Sequence, residues 1–332
     1  LLDSAFRIVI IDKDYNFVRE IKEINGIKNG DFSEANSIYV HTDKSMYLSD
    51  LQNKRVIHCD ENGTYIDEYT VPDSPLIPAD FDFQPVSVTA DSRGYVYILC
   101  RGSYYGALLY APDKSFIGFY GMNTVTNGIL GAIQSVWQRV FPNNEKKSKS
   151  EKALPFSFND IVIDDEDFIY TVTDSSKEAQ IKKLNPGAGN NILESDEVNF
   201  ADDEVNATYL DKELEQHIVS AAVDNDGFIY ALDATYGRVY MFDSECRMIT
   251  AFAGGMGAGT QQGTFVTASA VVLNGDDVIV GDKSNNLITV FSCNEYGAKV
   301  KRLIALTLNG DYAETKDGWK DVLTKDKNFQ IA

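Results

Sequence analysis

Ala222-Val223-Asp224-Asn225-Asp226-Gly227-Phe228-Ile229-Tyr230-Ala231-Leu232-Asp233 is the stretch that decides the fold. Two apolar runs, rich in aromatic and branched residues, flank an Asp-Asn-Asp-Gly turn. That is the pattern of a β-hairpin. The run does not stand alone. Ser87 to Leu99 repeats it around Asp91-Ser92-Arg93-Gly94, and Ile161 to Asp174 repeats it around Asp164-Asp165-Glu166-Asp167. Weaker copies run from Ser37 to Asp50 and from Val271 to Asp282.

Each copy continues. A third strand follows at Arg55-Val56-Ile57-His58, at Arg238 to Phe242 and at Leu287 to Phe291. A fourth follows at Tyr65 to Tyr69 and at Met248 to Phe252. Four antiparallel strands make one blade of a β-propeller. The Asp that closes strand two sets the period at Asp3, Asp50, Asp174, Asp233 and Asp282, and Arg101 stands where one copy has lost it. The steps are 47, 51, 73, 59 and 49 residues. A blade needs about 40–50, so the two long steps carry inserts. Leu1 to Asp12 reads as the end of strand two and all of strand three, and Asn16 to Ile21 as strand four. The expected fold is therefore all-β: a six-bladed propeller of four-stranded antiparallel blades. Its first blade is incomplete, with the missing half expected upstream of Leu1. One or two short helical inserts and a C-terminal helix complete it.

Composition limits the function. The chain has 332 residues, 30 Lys plus Arg against 50 Asp plus Glu, and a net charge of −20. Such a field repels phosphates, which argues against nucleic acid and anionic membranes. No apolar run is long enough to span a bilayer. Cys59, Cys100, Cys246 and Cys293 form no C-x-x-C pair, so a zinc knuckle is not indicated. Cys246 and Cys293 follow equivalent strands, which leaves one bridge or free thiols open.

The repeat resembles the NHL-type propeller repeat. The best match runs from Val223 to Asp243, with Asp224-Asn225-Asp226-Gly227, Asp233, Arg238 and Phe242-Asp243. Arg101 departs from that pattern in one blade, and Gln180 and Leu287 replace its Arg in two others. The likeness covers residues 1–306. Residues 307–332 form a separate tail, helical over Asp317 to Ala332, with apolar positions at Trp319, Val322 and Leu323. It resembles the start of a tetratricopeptide-type repeat. Proteins of Gram-positive gut bacteria are similar in layout, with an extracytoplasmic propeller, helical repeats and a membrane domain. That resemblance implies a membrane-anchored parent with this propeller on the extracellular face of a bacterial membrane.

Within the repeat, the spacing of Asp50 and Arg55, and of Asp233 and Arg238, predicts an ion pair across the turn between strands two and three. Structural pairing and a ligand clamp are both open readings. Residues 122–154 interrupt the blades. Val125, Ile129, Ile133, Val136 and Val140 recur at helical spacing, and a basic loop follows from Lys146 to Lys152. Trp137, Arg139 and Phe141 would anchor this insert to a partner; a helix packed over a blade is the plainer reading. A second insert, residues 194–216, is acidic and reads as a solvated loop.

The inner strands place Asn36, Ser87, Asn159, Asp160, Ser220 and Ser269 along the channel as ligand-binding candidates. Six-bladed lactonases and arylesterases are similar in fold and hold a channel metal with Glu, Asn and Asp. Here Asn36, Asn159 and Asp160 would supply only a weak oxygen site, and no inner-strand Glu offers a base. No catalytic set assembles, and no cofactor or resident metal is expected. The main expectation is a non-catalytic binding scaffold for a protein partner or an extracellular ligand. The competing one is a metal-dependent lactonase-like hydrolase.

Overall fold

A computed structural model describes residues 1–3, 7–27, 35–103, 105–121, 157–173, 180–186, 191–193, 200, 208–209, 212–213, 216–254 and 261–329. The strands run in the order expected of a propeller. A ribbon comes first, β1 (Ile8–Ile11) with β2 (Phe17–Ile21). Blade one is β3 (Ala35–Val40), β4 (Met46–Asp50), β5 (Arg55–Cys59) and β6 (Tyr65–Tyr69). Blade two is β7 (Pro85–Ala90), β8 (Val96–Cys100), β9 (Ala107–Tyr110) and β10 (Phe116–Tyr120). Blade three is β11 (Phe158–Ile163), β12 (Ile169–Thr173) and β13 (Ile181–Leu184). A two-residue hairpin, β14 (Thr208–Tyr209) with β15 (Lys212–Glu213), precedes blade four, which is β16 (Ile218–Val223), β17 (Ile229–Asp233), β18 (Arg238–Phe242) and β19 (Met248–Ala253). Blade five is β20 (Ala268–Asn274), β21 (Asp277–Asp282) and β22 (Leu287–Phe291).

The described sheets give five blades and not six. The reason lies in the opening residues. They form strands three and four of a unit, and among the described residues these two strands make a separate ribbon. The ribbon is nevertheless held on both sides. Tyr15 donates its hydroxyl to Asp277 at 2.7 Å, and the Asn274 amide reaches the Lys13 carbonyl at 3.3 Å. On the other side Ile8, Ile21 and Ile24 share a core cluster with Met46, Leu48, Ile57 and Cys59. The inner strands β3, β7, β11, β16 and β20 follow one another, each against the next.

Second strands are the most deeply buried. Every residue of β4, β8, β12 and β17 is buried. A strand covered on both faces by neighbouring blades loses the apolar–polar alternation of an exposed sheet, as Val96-Tyr97-Ile98-Leu99-Cys100 shows. Each such Leu, Ile or Val contributes about 1.5–3 kcal/mol by leaving water. All four cysteines are free, and burial pushes the Cys59 and Cys100 thiols up to about 12.

The acidic turns are caps. Asp224 Oδ1 accepts the N–H groups of Asp226 and Phe228 at 3.0 and 2.9 Å. Asp12, Asp60, Asp91, Asp164 and Asp243 bond the residues two and four places on in the same way. The residue three places after the Asp must then be left-handed, which Gly227 at φ +79° accepts without strain. In three blades a tyrosine six residues on donates to the second oxygen: Tyr97 to Asp91, Tyr170 to Asp164 and Tyr230 to Asp224. A cation completes each group, from a different source each time. Arg93 comes from the turn itself, Lys183 from strand three and Lys301 from a helix.

That helix begins earlier than a tail starting at 307 implies. α1 (Glu295–Leu308) and α2 (Tyr312–Lys325) follow β22 directly. Asn294 caps α1 by accepting from the Gly297 N–H at 2.8 Å. Val300, Leu303 and Ile304 join Phe228, Tyr230, Val278 and Val280 in one core cluster. Gly318 lets α2 close on α1, since a Cβ there would lie 2.5 Å from Leu303. No described helix is long and apolar enough to cross a membrane.

Candidate binding face and channel

Strand direction sorts the connections into two faces. Inner strands begin on one face, and strand two returns to it. Every link from strand four to the next blade leaves from that same face, as does every link from strand two to strand three. We call it the loop face. The Asp-capped hairpins lie on the opposite, turn face. The ends of β10 and β11, between which residues 122–154 run, both open on the loop face. Trp137, Arg139 and Phe141 lie outside the described residues, as does most of 194–216.

Each inner strand has a register break at the same place near its start: at Ala35/Ser37, Pro85/Ser87, Phe158/Asp160, Ile218/Ser220 and Ala268/Ala270. A bulge turns one side chain sideways. Two of the bulged residues are asparagines, and both reach the next blade. Asn36 donates its amide to the Val86 carbonyl at 2.8 Å, and Asn159 donates to the Ile218 carbonyl at 3.0 Å. Ser269 stays within its own blade, donating to the Gly281 carbonyl at 3.3 Å.

One residue further on, three of the expected channel residues come together. The Ser87 and Ser220 hydroxyls donate to the two oxygens of Asp160, each at 2.8 Å. Ser220 also accepts the Val271 N–H at 3.3 Å. Four consecutive inner strands, β7, β11, β16 and β20, are thus joined through one carboxylate and two hydroxyls. Withdrawal from water pushes the Asp160 carboxyl above the usual range, while both serines and the N–H groups of Ile161 and Ala221 pull it back.

The anchor carboxylates at the end of strand two differ among themselves. Asp50 pairs with Arg55 at 2.9 Å, in a buried contact, and also binds the Asn53 amide. Asp233 lies opposite Arg238 in register but makes no ion pair with it. Its Oδ1 accepts from the His217 and Thr235 N–H groups at 3.1 and 2.8 Å, and its buried Oδ2 has no hydrogen-bond partner. Burial raises that carboxyl. Arg238 instead lies over Gly254. The equal spacing of the two Asp/Arg pairs hid this, because it fixes backbone register and not where a flexible guanidinium points.

His217 was not expected here. Its Nε2 lies 3.2 Å from the Asn159 amide nitrogen, which is a donor, so the imidazole accepts at that atom. The available signal was position. Gln84, Ser157, His217 and Thr267 all stand immediately before an inner strand, giving the loop-face mouth a polar rim.

Among the described residues no group of three or more His, Cys, Asp or Glu side chains is placed to hold a metal ion. Asn36 and Asn159 direct their amides to neighbouring carbonyls, and Asp160 is occupied by two serines. What this set does chemically is lock successive inner strands in register.

No protein-family profile matches the chain, and no curated protein matches it by sequence. Solved structures resemble it in shape. A virginiamycin B lyase from Staphylococcus aureus is 12% identical, with TM-score 0.47, over 87% of this chain and 78% of that one. A streptogramin B lyase is 9% identical, with TM-score 0.48, over 87% and 76%. A protein of unknown function from Bacteroides caccae is 12% identical, with TM-score 0.45, over 83% and 78%. At this distance the likeness is one of fold, and no reaction passes from those proteins to this one.

Proposed function

We propose that this chain is a non-catalytic binding propeller that engages a protein partner or an extracellular ligand through its loop face. One observation carries the reading: the polar side chains of the channel are committed to neighbouring strands. Asn36, Ser87, Asn159, Asp160 and Ser220 each bond across to the next blade. A metal-dependent hydrolase needs such groups directed at a substrate and a water. The longest connection, from β10 to β11, by contrast leaves and rejoins the rigid frame on the loop face, which suits recognition. In this reading the repeat is NHL-like, the propeller stands on the extracellular face of a membrane-anchored bacterial protein, and Trp137, Arg139 and Phe141 contribute to docking.

The test has two arms. Purified protein is assayed on lactone and aryl ester panels with Ca²⁺, Mn²⁺ or Zn²⁺ added, beside Asp160→Asn. No turnover above that variant is expected, and metal-dependent turnover abolished by Asp160→Asn would overturn the reading. In the second arm, cross-linking on intact cells is compared with that of Trp137→Ala. A specific adduct weakened by the substitution is expected.

A further inference from the structure

An outer strand exposes a row of unpaired N–H and C=O groups, and natural sheets blunt such edges with charge, bulges or cover. Most edges of this protein follow the rule. β2 carries Arg19 and Glu20 and has a register break between Ile10 and Ile11. β6 carries Asp67 and Glu68, with a break between His58 and Cys59. β10 and β19 are uncharged, but their ladders are broken between Phe116 and Gly118 and between Met241 and Phe242. β13 carries Lys182 and Lys183 and is partly covered, because Ile192 donates its N–H to the Lys183 carbonyl at 2.8 Å.

β22 has none of these devices. Leu287-Ile288-Thr289-Val290-Phe291 pairs with β21 residue for residue, with no break. From Ser284 to Asn294 there is no Asp, Glu, Lys or Arg. Leu287 is 58% exposed and Ile288 39%. Among the described elements only β21 lies alongside it. Among the described residues the edge is uncovered, since the chain turns into α1 after Phe291. α1 then packs across β21 and the neighbouring blade, where Lys301 reaches Asp224 at 2.9 Å and Asp276 at 3.2 Å.

We propose that β22 is a dimer interface, pairing antiparallel with β22 of a second copy of this chain across a two-fold axis. The pairing would join two three-stranded blades into one six-stranded sheet. The strand complements itself: centred on Thr289, the arrangement sets Leu287 opposite Phe291 and Ile288 opposite Val290, both favourable apolar cross-strand pairs. Charge selects the place where two copies can meet. Each copy carries −20, so most approaches bring carboxylates against carboxylates. The uncharged 284–294 stretch is where two such molecules meet without that repulsion.

Analytical ultracentrifugation of the full chain tests this. A dimer is expected at moderate salt, and added salt should tighten it by screening the like charges. Leu287→Lys should raise the dissociation constant by about tenfold or more, with the circular dichroism spectrum unchanged. Ile288→Lys repeats the test should the first variant perturb folding. Ile117→Lys, at an exposed apolar position on the bulged β10 edge, should leave the dimer intact. A wild-type chain that stays monomeric overturns the proposal. So does a Leu287→Lys dimer as tight as wild type, or a dimer lost through Ile117→Lys.

Discussion

The two faces of the propeller use the same residue in opposite ways. On the turn face, Asp12, Asp60, Asp91, Asp164, Asp224 and Asp243 repeat one geometry, a carboxylate oxygen bonding the N–H groups two and four residues on. On the loop face, the anchor carboxylates share a position and little else. Asp3 binds Arg7, Asp50 binds Arg55 and Asn53, Asp282 binds Asn285, and Asp233 has backbone donors only. Arg101 dispenses with the carboxylate. One face repeats its geometry in the ribbon and in blades one to four, where the same capped hairpin recurs. The other varies because the connections it braces differ in length and content.

The sharpest way to break this contrast is at Asp224. Asp224→Ala removes the acceptor of two turn N–H groups, of the Tyr230 hydroxyl and of the half-buried Lys301 ammonium. We expect a loss of about 3 kcal/mol in urea unfolding. Asp165→Ala, at an exposed position of the equivalent turn in blade three, should change stability by less than about 0.5 kcal/mol. Equal costs at the two positions would mean that general charge, and not capping, governs the turn face.

Asp160 tests the channel. Asp160→Ala leaves both serines and two backbone donors without their acceptor, at about 2 kcal/mol. Its pH dependence follows from the raised carboxyl. A group whose value is higher in the folded state contributes most below the ordinary carboxylate range, and the contribution fades as pH rises through the folded value. Wild type should therefore lose stability relative to Asp160→Asn between about pH 4 and pH 7. A gap that widens in the other direction would show that the belt favours the ionised carboxylate.

Legibility follows the same division. The hairpins were readable because Asp-x-Asp-Gly between apolar runs has one physical solution, and that solution recurs. The expected sixth blade rests on residues 8–21 alone, and strands three and four show the same pattern in a ribbon as in a full blade. Val300, Leu303 and Ile304 show helical spacing, but a repeat of four-stranded blades reads on past Phe291 and masks the start of α1. Asn159 and Asp160 were located from their inner-strand positions, yet their partners were not. Contacts between blades join residues some 60 positions apart, and strand periodicity carries no record of them.

A small effect is expected at Asp233, and it separates position from chemistry most cleanly. Asp50 and Asp233 close equivalent strands and face an arginine in the same register. Only Asp50 uses both oxygens. Asp233→Asn keeps an oxygen for the His217 and Thr235 N–H groups and discards a buried negative charge whose second oxygen meets no donor. The substitution should stay within about 1 kcal/mol of wild type at pH 7. Because burial raises the Asp233 carboxyl, its contribution is fullest in acid and declines toward neutrality, so the variant should compare better at pH 7 than at pH 4. Urea midpoints at the two pH values read this directly. A loss above about 2 kcal/mol at pH 7 would mean that the ionised Oδ2 holds a cation or a donor in solution. Asp233 would then belong with Asp50 as a charge anchor, and the mouth beside His217 and Asn159 would have to be read as a binding site.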